Sequence, residues 1–346
     1  SNNRVMVKNI NKITIGIAAI LLIIIAIVTA WIAPFFYLNA GAKFMLYIYP
    51  ETNITMLGDT IDYYSNARFA KRTIKLLSWM NVEVPKCNGA YMIEEDFTPL
   101  QVAQKIRNKE QTPVKLIFHN LRTKEQFAQN VSKQLMFGDK EMLSILEDSA
   151  VCASYGKTTE TITNILFPDT YEVYWNSTPK GLLNKLNGYY TQFWTAERTS
   201  KANELGLSPD EVQILASIVE EETAKVDEYG KVARLYLNRL ERNMPLQADP
   251  TVKYAIGDFS IRRITHAMLK TVSPYNTYQN IGLPPGPIRI VTKRTVDAVL
   301  NAPQHDYLYM CAREDFSGYH NFTASYTRHL ANARRFQMEL NRRGIK

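Results

Sequence analysis

The chain has 346 residues, 46% of them hydrophobic, and a formal charge of +8. That composition excludes a disordered protein and leaves room for one or two domains with a sizeable core. The basic residues are interspersed rather than gathered into a stripe, which argues against nucleic acid as a partner and suits work near an anionic membrane or cell-wall polymer.

The N-terminal stretch Ile13–Ala33, "ITIGIAAILLIIIAIVTAWIA", carries no charge. About 20 apolar residues are what a helix needs to cross a hydrocarbon core roughly 30 Å thick. Arg4, Lys8 and Lys12 precede it without an acid, so residues 1–12 are expected in the cytoplasm. Trp31, Phe35, Phe36 and Tyr37 follow as an aromatic belt. A cleaved signal peptide is the competing reading; the stretch is too long for a typical h-region and no small-x-small site follows it. The expected location is therefore the inner (cytoplasmic) membrane, single-pass, with the body outside the cytoplasm. The opening "SNN" lacks Met, as a processed or engineered start would.

Residues 43–118 read as one small α+β unit. "FMLYIYP" (Phe44–Pro50), "GAYMI" (Gly89–Ile93) and "TPVKLIF" (Thr112–Phe118) are strand candidates. Helices with Asn53, Asn66 and Thr98 as N-caps lie between them, Pro99 falling in the first turn of the third. From about Leu121 the pattern becomes mainly helical. "NILFPDTYEVYW" is an aromatic stretch around a Pro-Asp turn, and "GLLNKLNGYYTQFW" and "KVARLYLNRLERN" are amphipathic helices. "SPDEVQILASIVEEETAKV" opens with a full start signal, Ser208 and Glu211 forming a capping box around Pro209. "YNTYQNIGLPPGPIRI" is a loop, "TKRTVDAVLNAP" a helix stopped by Pro303, "DYLYMCA" a strand and "SYTRHLANARRFQMELNRR" a terminal helix. The overall class is α+β. Cys87, Cys152 and Cys311 form no C-x-x-C and read as ordinary small buried residues. With no H-E-x-x-H or Cys/His cluster among five histidines, no metal and no cofactor are expected.

The run Glu220-Glu221-Glu222 closes an apolar helix, and on that helix the three carboxylates face different ways. Ile214, Leu215, Ile218, Val219 and Val226 make the apolar stripe. Glu222 falls within it and must be hydrogen-bonded or have a raised pKa. Glu221 reads as a solvated charge paired with Lys225 at i,i+4. Glu220 stands beside Ala216 and Ser217, where small side chains leave room for a ligand, so geometry nominates it as a general acid.

"ASIVEEET", "KVARLYLNRLERNMPLQADPTVKYAIG", "SPYNTY", "GLPPGPI" and "LFPDTYEV" together resemble the YceG-like family of membrane-anchored endolytic murein transglycosylases. The resemblance covers residues from about 160 onward strongly and the small N-terminal unit less so. It implies a LysM-like subdomain at 43–118, able to bind glycan or to serve as a spacer, and a catalytic domain at 119–346. The implied substrate is peptidoglycan, cut after N-acetylmuramic acid to leave a 1,6-anhydro end, with nascent strands as targets and strand termination as the result. The family's catalytic glutamate, taken as the first of the motif, maps onto Glu220. Glu222, Gln247, Asp249, Tyr275, Asn276, Tyr278, His320 and Phe322 are implied substrate contacts: amides for acetamido and hydroxyl groups, tyrosines for sugar faces. The PPGP loop is expected as a stiff wall of the groove, and His329 reads equally as a surface or core histidine. Asp249 or Asp169 could add a second carboxylate and turn the reaction into hydrolysis; both also read as turn residues. The implied partners are peptidoglycan strands, the cytoplasmic membrane and cell-wall synthases. The alternative is a non-catalytic, membrane-tethered glycan scaffold, whose mark would be a blocked face beside Glu220.

Overall fold

The computed structural model describes residues 2–261 and 263–344, with side chains from Thr14 onward. The cationic flank at Arg4, Lys8 and Lys12 lies outside the residues whose side chains are described. The chain divides into two compact units. One runs up to Val114 and takes back Glu172–Asn176; the other holds Lys115–Tyr171 and everything from Ser177.

The first unit opens with helix α1 (Asn2–Ile32) and a short α2 (Pro34–Tyr37). Thr14–Tyr37 is long and apolar enough to cross a membrane; its most apolar 18-residue stretch has a mean hydropathy of 2.9 and is unburied, while Pro34 and Phe35 at its end are buried. Strand β1 (Phe44–Ile48), helices α3 (Ile54–Tyr64) and α4 (Ala67–Trp79) and strand β2 (Gly89–Ile93) follow in β-α-α-β order. β1 and β2 pair antiparallel, Leu46 opposite Tyr91. Asn53 and Asn66 cap α3 and α4 by accepting from the backbone N–H of Met56 and Phe69. Leu46, Ile48, Leu57, Ile61, Phe69, Leu77 and Ile93 form the core. Helix α5 (Pro99–Arg107) starts on a capping box of Thr98 and Gln101. The returning segment belongs here because Trp175 packs on Tyr47 and Tyr49, and Asn176 Nδ2 donates to the Asn88 carbonyl at 3.0 Å.

The second unit is mostly helical. Strands β3 (Val114–Phe118) and β4 (Asp169–Val173) pair; residues 115–118 and 169–171 of them belong to this unit, and their other residues to the first. Between them lie α6 (Lys124–Ser132), α7 (Asp139–Glu147) and α8 (Ser149–Ser154). After β4 come α9 (Pro179–Phe193), α10 (Ala196–Glu204), α11 (Pro209–Glu222), α12 (Tyr229–Glu241), α13 (Asp249–Ile256) and α14 (Lys293–Leu300). Strands β5 (Tyr309–Ala312) and β6 (His320–Thr323) form an antiparallel pair, and α15 (Tyr326–Arg342) follows. α11 is the central element: it packs against α12, α13 and α14, and Val212, Leu215, Ile218 and Val219 are fully buried. Where the sequence reads as a turn at Asp169, β4 begins, and Asp249 opens α13 rather than a turn. Cys87 and Cys152 are buried as expected, whereas Cys311 is half-buried on β5.

Candidate active site

α11 starts where its sequence says. Glu211 N donates to Ser208 Oγ, and Ser208 N to Glu211 Oε2. It stops at Glu222, because Thr223 turns to extended backbone (φ −143°, ψ 141°). The three glutamates therefore occupy the last helical turn, where the helix dipole disfavours negative charge. Each needs its own compensation, and the three solutions differ.

Glu220 is tied down. Its Oε2 accepts from Thr292 N (3.0 Å), Thr292 Oγ1 (3.0 Å) and Thr295 Oγ1 (2.5 Å), while Arg289 stands 3.4 Å from Oε1. Only 7% of the side chain is exposed. The room expected beside it is absent. Ser217 is fully buried, and its hydroxyl accepts from Ile288 N at 2.9 Å. The space beside the small residues of α11 is thus taken by the segment before α14 and the first turn of that helix, from Ile288 to Thr295. Glu221 departs from expectation as well. The helix ends before Lys225, and Glu221 is bridged by Arg122 Nε at 2.8 Å and Arg289 Nη1 at 3.0 Å, with 15% of its side chain exposed. Val226, counted in the apolar stripe, lies beyond the helix and is 41% exposed.

Among the described residues Glu222 has one hydrogen bond, from Tyr236 Oη to Oε1 at 2.6 Å. Burial raises its pKa to about 7 against the opposing pull of that hydroxyl, with Asp249 adding a further upward push. It lines a cavity of about 340 Å³ together with Tyr236, Arg239, Gln247, Asp249, Tyr278, Met310, Cys311, His320 and His329. A neighbouring depression of about 420 Å³ shares Asp249 and Tyr278 and continues to Arg263, Thr265 and His266.

The walls are assembled by buried polar contacts. Arg239 on α12 donates to the carbonyls of Leu308 (2.7 Å), Leu246 (2.9 Å) and Pro245 (3.1 Å), drawing the approach to β5 and the loop before α13 together. Gln247 holds a left-handed backbone (φ 52°) although it is not glycine, a conformation that clusters at functional sites. Asp249 accepts from Tyr278 Oη at 2.6 Å. His320 is held on Glu228: its Nδ1 lies 2.8 Å from Oε2 and its backbone N–H donates to Oε1 at 2.9 Å.

A model of the YceG-like family matches residues 48–335. The chain belongs to the YceG-like family. It is 30% identical over 209 residues to a Bacillus subtilis (strain 168) protein named endolytic murein transglycosylase, covering 55% of this chain and 56% of that one. A protein of the same name from Streptococcus pneumoniae serotype 2 is 31% identical over 159 residues, 42% of this chain and 27% of the relative. The chain thus spans about half the length of the first relative and about a quarter of the second. The crystal structure of a YceG-like protein from Listeria monocytogenes matches with a TM-score of 0.55 at 24% identity, covering 84% of this chain and 98% of that one; it shows the shared fold.

The cavity brings together Glu222, Gln247, Asp249, Tyr278 and His320 of the residues singled out in the sequence. Glu220, Tyr275, Asn276 and Phe322 lie outside it. Asn276 is fully buried and braces its loop: Nδ2 donates to the carbonyls of Leu269 (3.0 Å) and Thr271 (2.8 Å), and Oδ1 accepts from Tyr278 N (3.0 Å). Its side-chain amide is thus engaged within its own loop. Tyr275 packs on Tyr254 with ring centroids 4.8 Å apart, and Phe322 packs on Tyr307. The PPGP loop lines a different, open depression with Ser208, Asp210 and Ile214. Asp169 is half-exposed and 3.4 Å from Lys293. Sequence reasoning missed Tyr236, Arg239 and His329. Tyr236 and Arg239 stand three residues apart on a helix whose neighbours are buried, and an arginine inside such a run was the available signal.

Proposed function

We propose that the chain is an endolytic lytic transglycosylase of peptidoglycan and that Glu222, not Glu220, is its acid and base. The observation that carries this reading is the contrast within one helical turn. Glu220 and Glu221 are saturated by cations and hydrogen-bond donors, whereas Glu222 opens on a cavity with a single donor and a pKa raised to about 7. A carboxyl with that pKa is available as an acid and, after giving up its proton, as a base near neutrality. The names of the two relatives support the substrate class.

In this reading neutral Glu222 donates its proton to the glycosidic oxygen as the bond from C1 of N-acetylmuramic acid breaks. The negative charge of Asp249, held by Tyr278, stabilises the positive charge developing at C1. Ionised Glu222 then takes the proton from the C6 hydroxyl of the same sugar, whose oxygen closes on C1. Glu222 ends protonated, no water is consumed, and a 1,6-anhydro end results. The two adjoining depressions suit a polymer held on either side of the cut, hence endolytic action. The apolar N-terminal helix serves as a single-pass inner-membrane anchor with residues 1–12 inside, keeping the enzyme near nascent strands, beside cell-wall synthases, where cleavage ends elongation. The β-α-α-β unit of the N-terminal part is LysM-like and a candidate glycan grip, with the remaining body, from about residue 119, as the catalytic domain.

A second reading, hydrolysis with Asp249 as the partner carboxylate, is favoured by its place in the same cavity. Digestion of purified peptidoglycan by the full chain separates the readings by product mass. Anhydro-muramic ends support transglycosylation. Reducing ends, about 18 Da heavier because one water is added at each cut, mean hydrolysis. Glycan binding without products would leave the non-catalytic scaffold, for which the blocked face beside Glu220 was the expected mark.

A further inference from the structure

At the end of the apolar span, α4 presents a cationic and aromatic stripe that the cleavage chemistry does not use. On a helix turning about 100° per residue, Arg68, Lys71, Arg72, Lys75 and Trp79 share one face. Phe69, Ala70, Thr73, Leu76 and Leu77 occupy the opposite side and are buried. α4 contains no acidic residue, and among the described residues none of its four stripe cations is in an ion pair with a carboxylate.

The stripe is fixed to the end of α1. Arg72 Nη1 donates to the Trp31 carbonyl at 2.7 Å and its guanidinium lies 5.0 Å from the Phe35 ring centroid. Lys75 Nζ stands 4.3 Å from the Trp31 ring and 5.2 Å from that of Trp79. The rings of Trp31 and Trp79 meet at 5.5 Å. Trp31, Phe36, Tyr37 and Trp79 all remain well exposed. Tryptophan and tyrosine concentrate at the headgroup level of a bilayer, and long cationic side chains reach for the same layer.

We propose that the α4 stripe is a docking surface for anionic phospholipid headgroups at the level of Trp31, laying the first unit along the membrane surface. Arg68 and Lys71, the exposed members, meet the phosphates. Arg72 and Lys75 set the height by their contacts with the span. The proposal rests on the apolar helix crossing the bilayer and is independent of the glycan chemistry. Uncompensated positive charge beside the span selects anionic lipid over zwitterionic lipid, and salt weakens the attraction.

The test uses the full chain in nanodiscs of phosphatidylcholine mixed with phosphatidylglycerol, with lipids retained after release counted by native mass spectrometry. The parent retains phosphatidylglycerol in preference to phosphatidylcholine. An Arg68→Gln/Lys71→Gln variant, altered at exposed side chains, loses about 25-fold of that preference, since each cation near an anionic surface is worth roughly a factor of five. An Arg107→Gln/Lys109→Gln variant, which removes the same charge elsewhere in the first unit, keeps it. Inorganic phosphate does not compete. Equal retention by parent and α4 variant, an equal loss in the control, displacement by inorganic phosphate, or failure of the chain to insert would each overturn the proposal.

Discussion

Replacing Tyr236 by Phe isolates what sets the working pH. The Tyr236 hydroxyl donates to Glu222 at 2.6 Å and is the main influence lowering a pKa that burial has raised to about 7. A hydrogen bond to a charged group is worth about 1.5–3 kcal/mol. At 1.36 kcal/mol per pH unit, its loss moves the Glu222 pKa up by about 1–2 units. The sign follows from the role: cleavage begins with Glu222 protonated, so kcat/KM is full below the pKa and falls as pH rises through it. The parent should therefore lose activity through about pH 7, and Tyr236→Phe should carry that limb about 1–2 units higher. The assay is the pH profile of kcat/KM for release of soluble anhydro-fragments. A limb that stays in place, or moves to lower pH, would refute the assignment of Tyr236 and Glu222 as the titrating pair.

Two further substitutions test the scaffold around the site. Thr295→Val keeps shape but removes the 2.5 Å donor to buried Glu220; we expect a loss of about 1–3 kcal/mol, seen as a lower Tm, with the pH limb unmoved. An unchanged Tm would mean that the Glu220 cluster contributes little to stability. In Gly286→Ala the new Cβ would stand 2.5 Å from the Glu160 carbonyl oxygen and 2.9 Å from Tyr275 Oη. A backbone contact of that kind does not yield easily, so about 1–3 kcal/mol of destabilisation is expected by thermal unfolding.

The elements legible in the sequence were those written in local signals. The starts of α3, α4, α5 and α11 carry their own caps, and each N-cap residue named in advance accepts the hydrogen bond expected of it. The end of α11 was not legible, because no glycine or proline marks it. It is set by Thr223, which turns the chain and meets Glu228 at 3.3 Å. The roles of the three glutamates were illegible for a related reason. Their compensating groups come from Arg122, Tyr236, Arg289, Thr292 and Thr295, all distant along the chain except Tyr236. Small residues beside Glu220 were a real signal with two meanings, room for a ligand or room for a loop, and Ser217 receiving the Ile288 N–H decides for the loop. Likewise an amide in "YNTY" can face a sugar or brace its own turn, and only the burial of Asn276 distinguishes them.

The most direct test of the account compares Glu222→Gln with Glu220→Gln in the full chain, each near-isosteric and each checked for folding by thermal unfolding, on purified peptidoglycan. The account predicts that Glu222→Gln abolishes formation of anhydro-muramic ends while Glu220→Gln, its carboxamide oxygen still accepting from Thr292, continues to form them. Products from Glu222→Gln and none from a folded Glu220→Gln would contradict it and return the chemistry to the first glutamate of the run.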